Sequence, residues 1–273
     1  MTSTASAEPS GALVTQKHIF LGVSALLFVA SALITIAWSA SMSGMGEMVM
    51  PGDWSMSMTW MRMPGQTWLG AAASFLGMWV VMTAAMMLPS LVPMLTRYRQ
   101  AVARTDETRL GRLTVLVGAG YFLVWTAFGA AAFPLGVGLA ALEMRDPALA
   151  RAVPISVGVV VLIAGSLQLT AWKARHLACC RDAPGLARTL LPDDAGTAWR
   201  HGLRIGLHCS YSCAAPMVIL LVIGIMDLRV MAAVTAAITA ERLAPAGERV
   251  ARAIGAVVVW AGLVLTARAV WLG

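Results

Sequence analysis

Long apolar runs alternate with short charged segments along the chain. Uncharged stretches cover residues 19–38, 63–96, 113–142, 152–172 and 205–226. Each reaches the roughly 20 residues that a helix needs to cross the hydrocarbon of a bilayer. Two shorter stretches, 230–240 and 253–267, become spans if the arginines beside them extend to the interface. None of the runs alternates with the period of two that a membrane barrel strand requires. The pattern predicts an all-α, polytopic transmembrane helical bundle of seven helices, or six if one short run does not cross. The expected division is a disordered cytosolic N-terminus over 1–18, a first transmembrane helix over 19–38, a Met-rich outer loop over 39–66, and a helical core over 67–273. The first run is longer than the apolar part of a secretory signal, and Glu8 dilutes its basic flank, so it reads as a retained helix.

Composition agrees. Of 273 residues, 59% are hydrophobic and 12% charged, against about 45–50% and about 25% in soluble domains. A soluble globular enzyme, a disordered chain and a fibrous repeat are excluded. The net charge is +7, and its placement matters more than its size. Lys17, the arginines of 97–112, the cations of 173–204 and those of 242–252 make fifteen of the twenty Lys and Arg. All fifteen fall on one side of a seven-helix chain. The positive-inside rule puts that side in the cytosol and the 39–66 loop outside, in a bacterial inner membrane. The excess charge thus reports orientation, and no nucleic-acid partner is expected. The sequence has no phosphate loop, no Ser/His/Asp arrangement and no paired catalytic carboxylates, so neither an ATP-driven pump nor a hydrolase is indicated.

The outer loop carries the first chemistry. Between Ser41 and Pro64 lie Met42, Met45, Met48, Met50, Met56, Met58, Met61 and Met63. Thioether sulfur is a soft, neutral donor that suits Cu(I), whereas Ca, Mg and Mn take oxygen. Met also serves as adaptable apolar filler at a membrane surface, with Trp54, Trp60 and Trp68 as interface anchors. The next helix adds Met78, Met82 and Met86, whose steps of four keep them on one slowly drifting face. Such a ladder would pass Cu(I) through hydrocarbon; the same spacing also serves ordinary packing.

All four cysteines fall in two groups. His176, Cys179 and Cys180 follow the fourth run, and His208, Cys209 and Cys213 enter the fifth. His176 with Cys180, and Cys209 with Cys213, are spaced i, i+4, so on helices each pair shares a face and the pairs make a two-plus-two ligand set. Both groups map to the cytosolic membrane boundary, where thiols stay reduced. Arg175, Arg181 and Arg204 nearby would favour the thiolate. Singly, each residue also fits a packing or interfacial role. Glu241 and Arg242 end the sixth helix at the cytosolic side and read as a local charge pair or a boundary marker, with a proton or metal role as the lesser alternative. Gln168 and Thr170 are candidates for hydrogen bonds between helices.

The chain resembles, at these residues, the uncharacterised bacterial family described as predicted metal-binding integral membrane proteins. The resembling blocks are Met78-Trp79, Met82 through Ser90, Gln168 to Thr170 with Lys173, and Cys180-Arg181. The strongest runs from Gly206 through Cys209, Cys213 and Met217 to Gly224, Met226 and Glu241 to Leu243. The resemblance covers roughly residues 68–265. Where that family often has Cys, this chain has His176 and Ser212. What the resemblance implies is a metal-binding membrane protein, without an assigned activity.

The expected function is soft-metal handling, with Cu(I) first and Zn second. The outer Met loop captures the ion, Met78, Met82 and Met86 relay it, and His176, Cys180, Cys209 and Cys213 receive it, with Cys179 and His208 in reserve. The alternative is a metal-containing assembly factor or structural subunit supporting a partner enzyme, in which Zn would need the Cys/His groups but not the Met loop. A redox enzyme using the vicinal Cys179 and Cys180 is a third reading. The partners expected are the lipid bilayer, a metallochaperone or metalloenzyme, and a second copy through Gly202 and Gly206.

Overall fold

The structure, a computed structural model, describes residues 9–43, 48–50, 54–56, 58–62, 65–102, 106–181 and 194–272. Among these the chain forms eight α-helices: α1 (Pro9–Ser43), α2 (Trp68–Ala101), α3 (Glu107–Arg145), α4 (Pro147–Gln168), α5 (Ala171–Arg181), α6 (Ala195–Ile223), α7 (Leu228–Leu243) and α8 (Gly247–Leu272). All but α5 and α7 are long and apolar enough to cross a membrane, which points to a multi-pass membrane protein. Their outward surfaces are apolar, as lipid requires: Ile19, Leu26, Val115, Leu135, Val257 and Trp260 are all exposed. α1 begins at Pro9, inside the segment expected to be disordered.

Helix ends follow local chemistry. Asp146 alone joins α3 to α4: it closes α3, its Oδ1 accepts from the Ala148 N–H at 2.9 Å, and Pro147 starts the next helix without a donor to lose. Asp194 caps α6 by accepting from the Thr197 N–H at 3.0 Å, and those hydrogen bonds hold its carboxyl below the usual range. The predicted span over 152–172 is broken at Leu169–Thr170. There the Thr170 hydroxyl accepts from the Lys173 N–H at 3.4 Å and starts α5 afresh. Asp227 starts α7 by accepting from Arg229 and Val230. Pro245 forces Ala244 into extended backbone and ends it.

The helices approach closely wherever glycine removes the Cβ. A Cβ at Gly158 would collide with Thr266, one at Gly165 with Val259, one at Gly262 with Leu162, and one at Gly255 with Leu169. Residue numbers rise along α4 as they fall along α8, so the two helices are antiparallel. On each, the glycines are seven apart, which keeps them on one face. Gly202 sits on Val117 and Gly206 on Tyr121 and Val124, so α3 and α6 run parallel. The G-x-x-x-G of Gly202 and Gly206 thus permits close helix packing inside the chain. α1 lies against α2 and buries Ser24, Ser31 and Thr35, small polar residues that let membrane helices approach, while the Ser39 hydroxyl donates to the Met226 carbonyl at 2.7 Å.

These directions decide the course of α7. It returns the chain from the end of α6 so that α8 can run antiparallel to α4. Its 16 residues span only about 24 Å, less than the roughly 30 Å of hydrocarbon. Its last turn therefore lies beside the middle of α6.

The described residues of the Met-rich loop form local structure. Met48–Met50 and Trp54–Met56 pair as antiparallel strands, with Met48 opposite Met56 and Met50 opposite Trp54. The Trp54 indole donates to the Ala150 carbonyl at 2.9 Å. Trp60 lies where a Cβ on Gly136 would be and rests on Phe75. The loop is thereby fastened over the end of the bundle where α3 meets α4.

Candidate metal centre

Cys209 is the central residue of α6, and Cys213 lies one turn further. Both are free thiols, 0% and 2% exposed. They sit midway along a helix long enough to span. The depth follows from α6 itself, whose first turns, with Arg200 and Arg204, precede the pair.

Four helices converge on the thiols. The Tyr121 hydroxyl of α3 shares a hydrogen bond with the Cys209 sulfur at 2.9 Å. Arg242, in the last turn of α7, donates through Nη2 to Cys209 Sγ at 2.9 Å, to Cys213 Sγ at 3.3 Å and to Ser212 Oγ at 2.9 Å. Its Nη1 donates to Ser90 Oγ of α2 at 3.3 Å. The Ser212 hydroxyl in turn donates to the Cys209 carbonyl.

A second polar layer holds the first. Lys173 Nζ, 3% exposed, pairs with Glu241 Oε2 at 2.7 Å and donates to the Ser212 carbonyl. Gln168 Nε2 donates to Glu241 Oε1 at 2.7 Å. One sequence expectation changes here. Lys173 and Arg242 were counted among boundary cations, yet Lys173 is buried and Arg242 half-buried at the thiols. Glu241 and Arg242 also reach separate partners: Glu241 pairs with Lys173, and Arg242 reaches the sulfurs. The short α7 is the cause, because its last turn stops at the depth of Cys209. Of the cations expected to favour the thiolate, Arg175 and Arg204 are not among the groups that meet it in the described residues, and the side chain of Arg181 lies outside them.

The methionine ladder leads to this point. Met78, Met82 and Met86 are buried in one apolar cluster with Cys209 and Cys213. Met87, Met94, Met217 and Met231 belong to the same cluster. Met217 lies one turn beyond Cys213, so α6 carries Cys209, Cys213 and Met217 on one stripe. Along α2, Ser90 follows Met86 at the same spacing and takes a hydrogen bond from the Arg242 that holds the thiols.

The histidines stand apart. His176 of α5 faces His208 of α6 with ring centroids 6.0 Å apart, between Trp172 and Tyr211. His208 Nδ1 is buried and has no hydrogen-bond partner among the described residues. His176 is thus brought to His208 and not to the cysteine pair. The side chains of Cys179 and Cys180 lie outside the described residues. So do Met45 and Met63 entirely, and the side chains of Met48, Met50, Met56 and Met58. Met42 ends α1, and Met61 packs against Ala140 and Ala150. Among the described residues no three of His, Cys, Asp and Glu gather into a metal site.

Tyr121, Ser90, Ser212, Arg242 and Met217 were not counted among the sequence-predicted ligands. Met217 and Ser90 had a legible signal in the four-residue step from Cys213 and from Met86, and Ser212 and Arg242 lie in the resembling blocks; Tyr121 had none. Two buried thiols in one apolar cluster with several methionines are donor chemistry that suits a soft ion.

A model of the PpoB2 family, described as copper chaperone, matches residues 76–265. The match covers nearly the stretch over which the sequence resembles a metal-binding family, and the description of the matching family names copper. No curated protein and no solved structure matches the chain.

Proposed function

The chain belongs to the PpoB2 copper chaperone family, and from that premise we propose that it binds Cu(I) between Cys209 and Cys213 and moves it through the bundle along methionine. The carrying observation is that the two buried thiols share one core with Met78, Met82, Met86 and Met217. Thiolates and thioethers together suit soft ions, Cu(I) among them. The Met loop is the collecting end: the pairing of Met48 with Met56 draws their positions together. Met42, Met45, Met50, Met58, Met61 and Met63 are assigned to the same capture step.

Cys209 and Cys213 are the holding site. His176, His208, Cys179 and Cys180, on the α5 side of α6, are assigned to the outlet, where the ion leaves for a metallochaperone or metalloenzyme. The cation distribution supports a cytosolic position for that outlet and an outer position for the Met loop, in a bacterial inner membrane.

A structural Zn centre is the weaker reading. Zn would need a closed set of four ligands. The described geometry instead separates His176 and His208 from Cys209 and Cys213.

The test is anaerobic loading of the detergent-purified chain with Cu(I), beside Cys209→Ser/Cys213→Ser. Stoichiometric copper in the wild type, lost in the double variant, is the expected result. Equal copper in both contradicts the assignment.

A further inference from the structure

Neighbouring residues of α6 face different chemistry. The Cys209 sulfur meets Tyr121 of α3 and Arg242 of α7. His208, one residue and about 100° earlier around the helix, meets α5 instead. Its ring lies 6.0 Å from that of His176, centre to centre, with the planes tilted by 38°. Two imidazoles that share one ion have this separation. A metal–nitrogen bond of about 2.0–2.1 Å puts the ion about 3 Å from each ring centre, and the two centres up to about 6 Å apart.

His208 Nδ1 points to the same use. It is buried with no hydrogen-bond partner among the described residues. A buried polar nitrogen left unpaired is unfavourable, and a bound ion satisfies it, because neutral imidazole can coordinate through either nitrogen. The His176 ring is held by Trp172 and Tyr211, at 4.7 and 5.4 Å between centres, so its orientation is set by packing. Trp172 and Tyr211 are exposed and both histidines half-buried. The pair therefore lies at the edge of the bundle, whereas the thiols are enclosed.

We propose that His176 and His208 form a second copper site, built from nitrogen, separate from the thiols and open to an acceptor. This deepens, and rests on, their assignment to the outlet. Imidazole suits copper but is a harder ligand than thiolate, so Cu(I) fills Cys209 and Cys213 first and the imidazoles second. An ion held by two neutral nitrogens at the edge is the one an acceptor with soft ligands can take, replacing one imidazole at a time.

The test is an anaerobic titration of the full chain in detergent with Cu(I) against a chromophoric chelator, with X-ray absorption at one and at two equivalents. The first equivalent should be bound by sulfur, and nitrogen should join the shell only with the second. His176→Gln and His208→Gln should each lose the second equivalent and keep the first. His176→Gln, on the short α5, decides if His208→Gln does not fold. Cys209→Ser/Cys213→Ser should do the reverse, losing the sulfur-bound ion and keeping the nitrogen-bound one. A second equivalent that is absent from the wild type, that survives both histidine variants, or that disappears with the thiols overturns the inference. Transfer to an external thiol chelator separates binding from the outlet role. If the histidine variants bind as expected yet hand over copper as fast as the wild type, the outlet assignment fails and the site stands.

Discussion

Arg242 donates to the Cys209 sulfur at 2.9 Å, joining the last turn of α7 to the middle of α6. The contact depends on a short helix. Were α7 as long as α6, its C-terminal cation would lie at the membrane surface. Instead Asp227 starts α7 at one end of the bundle, Pro245 stops it halfway, and the guanidinium arrives at the thiols. The carbonyls at the end of α7 face the same way and favour a cation in that turn.

The methionine stripe should govern the rate of copper movement more than the amount held. Met82→Leu/Met86→Leu nearly conserves volume and should change stability by less than about 1.5 kcal/mol per site. Copper bound at equilibrium should stay near the wild-type level, while transfer across proteoliposomes containing the variant slows. A flux assay with a copper-specific dye inside the vesicles measures this. Unchanged flux would leave the stripe as packing alone.

Lys173 and Glu241 should be destabilising to remove singly and tolerable to remove together. Either Lys173→Met or Glu241→Gln leaves one buried partner uncompensated, an effect of roughly 3–5 kcal/mol. The double variant should recover most of the loss. Thermal unfolding in detergent gives the four values of the cycle, and additive losses would contradict the pairing.

Gly165→Ala should loosen α4 from α8. A Cβ there would lie 2.7 Å from the Val259 backbone nitrogen, and overpacking of this kind disfavours the fold by about 1–3 kcal/mol. Gly22→Ala, with nothing within 4 Å of the new Cβ, is the control and should not destabilise. The comparison is a pair of melting curves.

Asp194 gives a pH dependence with a definite sign. Hydrogen bonds from Thr197 lower its carboxyl in the folded chain. Its contribution is therefore complete above the unfolded value of about 3.9, and it is lost as pH falls through the lower folded value. Asp194→Ala should be less stable than the wild type at neutral pH, and the gap should close in acid. Melting curves across that range provide the check.

The sequence carried much of the fold, because apolar length is what a bilayer demands. The long runs became α1 to α4 and α6, and the marginal run over 253–267 became part of the 26-residue α8. The i, i+4 spacing of Cys209 and Cys213 foretold a shared face, and the steps of Met78, Met82 and Met86 foretold a stripe. Depth was not legible. Nothing in the sequence around Glu241 says that α7 ends beside Cys209, so its charges read as surface marks. The partner of His176 was equally hidden. Only the break at Leu169–Thr170 turns α5 so that His176 meets His208 while Lys173 meets Glu241 and Ser212.

X-ray absorption at the copper edge of the Cu(I)-loaded protein tests the central claim most directly. Sulfur alone should surround the copper in the wild type, and that sulfur signal should collapse in Cys209→Ser/Cys213→Ser. A shell of nitrogen and oxygen in the wild type, or an unchanged sulfur shell in the double variant, would contradict copper binding by this pair.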